Sequence, residues 1–597
     1  MAMFRGGFRS ATLETFALLV GIFCLAIAFD LQDGILLLGD VDDRLRALQI
    51  RQLLSGKGWF DLTISGIAMP QPYVSPWSRL IDGPYAAIAW SLSQVMSTDR
   101  AVSIAFQIWP PALMLAFAGL SAGCMRKLMP EGARPASLHV IVAALAMSYA
   151  ALEFAPGRID HHNAQLVTLA AAAYGTLCWS AAGGVWLAVA LTLSVTIGLE
   201  TLPLICTLWG ALTLAWITRR PGAQEIFRAF SAVMAVLLPL ATLVFSGPDV
   251  LFGVHNDIVS APYVAAFAGF GLISAAAAGF LPAVASIPLR LVSLAIPGSL
   301  LLFLIALAMP GVLAGPYEII DPLSRDLWLD HVAQEQSALL LLRMGLPFAT
   351  FNLALQAVVI LGAGMLAWKG LRAGQSAPAV VLAMGVAAFL ANLEAFRFIR
   401  FPAALLPIFI PQLLAHFSSL PVDKQKRMGI RFAGAALAAG GIFQIIAVAM
   451  PVQREPDALD AADFLMNDTC SAADRKAMTS LPAGRYMVTP MVGLTILEQA
   501  GRGVEIAALS FHRASPGLRR MFEAFYLSEP PTRREALAPF DYVAFCTYPA
   551  ALKALFSAPE GSLFEALLND GPGEAFVPKP VAGSQYLKLF AIDHNRL

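Results

Sequence analysis

A polytopic α-helical membrane body followed by a C-terminal α/β domain is the fold class this sequence predicts, and three observations predict it. Hydrophobic residues make up 58% of 597 positions and charged residues 13%, the balance of a membrane protein rather than a soluble enzyme. Apolar runs of spanning length recur up to about residue 450, and from Pro451 the composition becomes that of a soluble domain. The formal net charge is zero, which argues against a nucleic-acid partner, since that would leave a basic footprint.

In chain order, the apolar runs lie at about 11–33, 101–125, 137–154, 164–182, 185–199, 201–217, 229–246, 263–283, 291–314, 351–368, 378–396, 401–417 and 432–450, thirteen in all. Several are shorter than a full span and are expected at the thin end of the range or locally broken. The run after Arg9 continues to about Ala28 without a small-residue cleavage site and reads as an anchor. A shorter run at 84–97 is expected to be interfacial.

Lys and Arg gather in every second loop: Arg5 and Arg9, then Arg126, Lys127 and Arg134, then Arg219, Arg220 and Arg228, then Arg290, then Lys369 and Arg372, then Lys424, Lys426, Arg427 and Arg431. By the positive-inside rule these face the cytoplasm, with the N-terminus. The alternate loops, at about 40–100, 155–165, 247–262 and 315–345, hold the acids and face outward. An odd number of spans places everything after Met450 outside as well. The expected location is a bacterial inner membrane, with membrane lipids around residues 1–450 and a periplasmic domain over 451–597.

Within that domain the runs RYMVTP, VEIAALS, DYVAFC and YLKLFAID read as strands, and about 457–467, 515–527 and 561–568 as helices. It shows no Gly-rich phosphate loop, CxxC pair or Ser/His/Asp nucleophile signature. Cys24, Cys124, Cys178 and Cys206 fall in apolar segments and read as small hydrophobes, whereas Cys470 and Cys546 are able to pair if their domain is periplasmic.

Four stretches carry polar chemistry. Gly39 to Leu54, GDVDDRLRALQIRQLL, sets Asp40, Asp42 and Asp43 at the end of the first span, followed by Arg44, Arg46 and Arg51. Charge is costly at a membrane edge, so such a cluster is a candidate site; Asp42 and Asp43 are expected to cap a surface helix starting at Arg44. Phe154 to Gln165, FAPGRIDHHNAQ, packs Arg158, Asp160, His161, His162 and Asn163 beside a span. Asp160 and His162 offer an oxygen and an imidazole nitrogen to a divalent ion, Mn²⁺ or Mg²⁺, with Asp40 as a further carboxylate; interfacial histidines with ordinary hydrogen bonds are the competing reading. The 315–345 loop, long and acidic, offers Glu335 as a catalytic acid and Glu318 as second choice. Arg397 and Arg400, in EAFRFIRFP, sit on the outward side against its charge bias, as a phosphate clamp or as headgroup-snorkelling residues.

These stretches carry a family resemblance. Asp40 with Arg46 six residues on, then GKGWFD and PWSRLID, resembles the first external loop of oligosaccharyltransferase catalytic subunits, within the GT-C class of membrane glycosyltransferases. GRIDHHNAQ is similar to their second acidic motif, VAQEQS (Val332 to Ser337) to their flexible-loop motif, and RFIRFP to the segment near the lipid-phosphate site. The resemblance implies a GT-C-like body that moves a sugar or glycan from a polyprenyl-phosphate or polyprenyl-pyrophosphate carrier to a lipid, glycan or protein acceptor at the outer face of the inner membrane. It implies Asp40, Asp160 and Glu335 as catalytic, Asp40, Asp160 and His162 as metal ligands, and Arg397 and Arg400 on the donor phosphate. Arg46, Arg158, His161, Gln334 and His512 fall to the acceptor side. Two departures stand out: the family's loop glutamate aligns with Gln334, one place before Glu335, and the WWDYG acceptor motif is absent from the C-terminal part. The rival readings are a lipid or glycolipid flippase, which calls for mid-span charge and two comparable halves, and a scaffold presenting the C-terminal domain.

Overall fold

The computed structural model describes residues 2–34, 41–343, 347–449, 459–460, 466, 470–500, 503–547, 556–569 and 571–597. The chain forms two compact units: Met1–Gly39, Trp77–Gly315 and Ser337–Met450 make one, and Asp40–Pro76, Pro316–Gln336 and Pro451–Leu597 the other.

The first unit is a helical membrane body. Among the described residues, ten helices are long and apolar enough to cross a bilayer, from Thr12–Asp33 to Val422–Ala449. A bent pair, Ser137–Ala146 and Ser148–Phe154 at 67°, makes an eleventh if it counts as one span. The expected runs at 164–182 and 185–199 are helical too, as His162–Leu177 and Ala181–Ile197, but too short to pass as full spans. All thirteen apolar runs are therefore helical, and three depart from the straight full-length span, one by its 67° bend and two by their length. Ile287–Ala308 and Val422–Ala449 expose Leu, Ile and Val along their length. A helix satisfies its own backbone, so in lipid only its side chains need be apolar. The run expected at 84–97 is a helix, Arg79–Ser93. It carries a buried pair, Arg79 Nη1 to Asp82 Oδ2 at 2.9 Å.

The second unit is α/β. Its main sheet runs β3-β2-β4-β7-β6, with β2 Gly484–Val488, β3 Val504–Ile506, β4 Tyr542–Cys546, β6 Phe576–Lys579 and β7 Leu587–Ile592; a short parallel pair joins β1 Leu459–Asp460 to β5 Phe556–Ser557. β2, β3 and β4 are parallel, joined by helices as parallel strands require, and β7 returns antiparallel to both β4 and β6. The helices expected at 515–527 and 561–568 are present as Ser515–Phe525 and Leu563–Leu568. In the stretch expected as a helix at 457–467, Leu459–Asp460 instead form β1, and the rest except Met466 lies outside the described residues.

Two stretches that read in sequence as external loops belong to this unit. Ile67 bridges in parallel to Ile506, extending the sheet edge. Ile320, Trp328 and Leu329 are buried with Phe522, Phe525 and Phe540 in its core. Asp321 caps the helix Pro322–Leu327 through Ser324 N–H at 3.0 Å and accepts from Ser515 Oγ at 2.6 Å, which ties the 316–336 stretch to the helix beneath. The helix at the opening stretch begins at Val41, not Arg44, so Asp42 and Asp43 are first-turn residues facing the helix dipole rather than caps. Cys470 and Cys546 are disulfide-bonded, with Cα atoms 5.4 Å apart.

Candidate functional site

The site is built on the turn between the bent helix pair and His162–Leu177. Gly157 takes φ +90°, a left-handed conformation that suits glycine, and its N–H donates to Phe106 O at 3.0 Å. Asn163 Nδ2 donates to Arg158 O at 2.9 Å and closes the turn. Beneath it, Glu153 accepts from Arg158 Nη2 at 2.8 Å and pairs with Arg400 Nη1 at 2.9 Å, all three side chains buried. A carboxylate between two guanidiniums is the compensation that buried charge requires.

On this base stand Asp160, His161 and His162, exposed by only 1%, 5% and 4%. They form a three-residue group whose ligand atoms lie within 4.8 Å of one another. Asp160 Oδ1 is 2.5 Å from His161 Nδ1, and Asp160 Oδ2 is 3.1 Å from His162 Nε2. The two imidazole rings lie 4.2 Å apart, and Trp77 covers His161 at 6.1 Å. Burial works to raise the Asp160 carboxyl pKa. The two imidazoles, the His161 hydrogen bond and Arg158 outweigh it and hold the carboxyl well below the usual range.

Glu200 completes the cluster from the short turn Leu199–Thr201. Its Oε2 is 3.2 Å from His162 Nδ1 and 3.5 Å from His161 Nε2, and its Oε1 pairs with Arg397. The turn runs close to the cluster: a Cβ at Gly198 would lie 3.3 Å from Gln165 Nε2, so Gln165 would have to give by a few tenths of an ångström. Gln165 Oε1 is 3.1 Å from His162 Nδ1, and its buried Nε2 makes no hydrogen bond among the described residues.

This donor set fits a divalent ion. The 3.1 Å between Asp160 Oδ2 and His162 Nε2 is close to the roughly 3 Å between neighbouring ligands of an ion held at about 2.1 Å. Mixed carboxylate and imidazole donors suit the borderline divalent metals.

The sequence-derived residues separate by unit. Asp160, His161, His162 and Arg397 come together in the membrane unit, and Arg158 and Arg400 lie there in the Glu153 network. Asp40 lies outside the described residues. In the second unit Arg46 is fully buried, Glu318 and Gln334 are exposed, and Glu335 is half-buried. Tyr317 sets its ring 6.3 Å from His512 and hydrogen-bonds Glu335. Burial, then the Glu335 carboxylate, raise the Tyr317 hydroxyl pKa, against Arg325. Tyr317, Glu153, Gln165 and Glu200 were not among the sequence candidates. For Glu153 and Glu200 the available signal was a lone carboxylate beside an apolar span.

Along the sequence, no protein-family profile and no curated protein matches this chain. Solved structures do. The archaeal oligosaccharyltransferase AglB from Archaeoglobus fulgidus, in complex with an inhibitory peptide and a dolichol-phosphate, superimposes with a TM-score of 0.59 at 12% identity, over 96% of this chain and 74% of that one. The fold is oligosaccharyltransferase-like. The Archaeoglobus fulgidus oligosaccharyltransferase in complex with Zn and sulfate gives a TM-score of 0.55 at 13% identity, over 96% and 72%. The same enzyme tethered to an acceptor peptide gives 0.54 at 13%, over 96% and 74%. The chain is thus a multi-pass membrane protein with a GT-C-like fold and a C-terminal α/β region.

Proposed function

We propose that this chain is an integral membrane glycosyltransferase that moves a sugar or glycan from a polyprenyl-phosphate or polyprenyl-pyrophosphate carrier to an acceptor on the outer face of the membrane. The observation that carries the reading is the buried Asp160–His161–His162 cluster with Arg397 at its edge, on a fold whose solved neighbours include an enzyme complexed with dolichol-phosphate. The paired cysteines support an outer, oxidising location for the C-terminal residues, in agreement with the positive-inside count.

In this reading Arg397 presents a planar fork of donors to the carrier phosphate, and its pairing with Glu200 keeps it beside the imidazoles. Arg400, occupied by Glu153, holds the turn in place. Asp160 and His162 would hold a divalent ion such as Mn²⁺ or Mg²⁺, which when bound supplies Lewis-acid charge to the departing phosphate. The acceptor attacks the anomeric carbon, the bond from that carbon to the phosphate oxygen breaks, and the acceptor proton passes to a carboxylate. With WWDYG absent, a sequon-bearing peptide is not the presumed acceptor; the candidates are a lipid, a glycan or a protein.

The test is carrier release from a polyprenyl-linked sugar by purified protein in detergent. Release that is lost in Asp160→Ala and Asp40→Ala, with folding kept, supports the enzyme and the role the sequence assigns to Asp40. Carrier movement across vesicles with no chemical change in the wild type would instead make it a flippase.

A further inference from the structure

Glu200 has no role in the reading above beyond holding Arg397, yet among the described residues it is the one carboxylate outside the 154–165 turn that contacts both imidazoles. Its Oε2 stands 3.2 Å from His162 Nδ1. Carboxylate oxygens face both ring nitrogens, but Nδ1 has two acceptors in reach, Glu200 Oε2 and Gln165 Oε1, and Nε2 has one, so a singly protonated imidazole is best satisfied with its hydrogen on Nδ1. Gln165 Oε1, 3.1 Å from the same nitrogen, is a second acceptor and agrees with that assignment. The lone pair of Nε2 then points at Asp160 Oδ2, 3.1 Å away, another lone pair. Two facing acceptors at that distance repel unless a proton or a metal ion lies between them, and either one uses the same edge.

The neighbourhood is arranged to keep Glu200 there. Ser194 Oγ and Thr201 Oγ1 are 3.0 Å apart and buried, which joins the end of one helix to the turn that carries Glu200. Ser78 Oγ donates to Thr196 O at 2.8 Å in the same turn region. Arg397 binds the other oxygen and compensates a side chain that is only 17% exposed.

We propose that Glu200 is a positioning residue for His162: by accepting from Nδ1–H it fixes the imidazole tautomer and turns Nε2 toward Asp160, so that the two form one cation-binding edge. Carboxylates that orient ligating histidines in this way change metal affinity by about 10–100-fold. The inference rests on the divalent-ion part of the proposed function and assigns a residue that part leaves out.

The probe is Mn²⁺ alone, titrated into purified full-length protein and read by the electron paramagnetic resonance signal of free ion, with thermal unfolding as the folding control. Glu200→Ala is expected to weaken Mn²⁺ binding by about 10–100-fold, and Glu200→Gln, which keeps an acceptor oxygen at the same reach, to recover most of that loss. Should Glu200→Ala fail to fold, the double variant Glu200→Met with Arg397→Met removes the acceptor without stranding a charge, and the same weakening is expected. Unchanged affinity in a folded Glu200→Ala or double variant overturns the inference. Equal loss in Glu200→Ala and Glu200→Gln also overturns it, because the residue would then act as a direct ligand. A wild type that binds no Mn²⁺ overturns the metal reading itself, an outcome distinct from both.

Discussion

Asp160 of the membrane unit and Asp474 of the C-terminal unit are both aspartates with almost no exposed surface. Their partners differ in kind. Asp474 Oδ1 accepts backbone N–H groups of Gln585, Tyr586 and Leu587 at 2.6, 2.8 and 3.0 Å, and its Oδ2 accepts from Ser471 N–H and Oγ at 2.8 and 2.7 Å. Those donors are the start of β7 and the N-terminus of the helix Ala472–Ala477, so the carboxylate staples two elements beside the Cys470–Cys546 bond. Every contact of that carboxylate shown here is spent on backbone or on a cap. Asp160 is instead surrounded by imidazoles and a guanidinium, groups that themselves bind ions and phosphates. A buried carboxylate that holds backbone is part of the fold; one that faces ligating side chains is placed for chemistry.

Glu153 sharpens the comparison because it lies next to Asp160 yet resembles Asp474 in purpose. Removing its charge takes the carboxylate from Arg400 and leaves Arg158 with Asp160, 3.9 Å away, as the more distant partner. Glu153→Gln is expected to destabilise the membrane unit by about 3–5 kcal/mol, read as a drop in the unfolding midpoint in detergent. A Glu153→Gln protein with normal stability would break the distinction between scaffold and site.

Asp474→Asn is expected to have the next largest effect. Burial acts to raise this carboxyl, but the Ser471 hydroxyl and the N–H groups of Leu587, Tyr586 and Ser471 hold it at a pKa of about 2. A folded pKa below the unfolded value of about 3.9 stabilises the fold above pH 4, and that contribution is lost as pH falls through about 2. The difference corresponds to about 2–3 kcal/mol at neutral pH. Denaturant unfolding between pH 2 and 6 checks it: wild-type stability falls toward the acid end, and Asp474→Asn flattens the curve while leaving carrier release intact.

How much of this was legible in sequence depends on how local each feature is. The apolar runs were legible because a span needs only composition and length, and all thirteen are helices. Asp160 and His162 were legible because a glycine-led Asp-x-His motif beside a span is a local pattern. Glu200 is some forty residues away by chain count, and only the packing of the Leu199–Thr201 turn against the 154–165 turn brings it to His162. Arg400 read as a surface clamp because nothing in EAFRFIRFP shows that its partner is Glu153, on a different helix. The 316–336 stretch read as an open loop, since its anchors Ile320, Trp328 and Leu329 are spaced irregularly and match neither a helix nor a strand period.

The measurement that bears most directly on the reading is carrier release by Asp160→Asn and Asp474→Asn side by side with wild type, at a temperature where all three are folded. Asp160→Asn is expected to lose about a thousandfold in turnover per folded molecule, and Asp474→Asn to lose stability with turnover per folded molecule unchanged. Wild-type turnover in a folded Asp160→Asn protein would contradict the assignment of this cluster as the reactive centre.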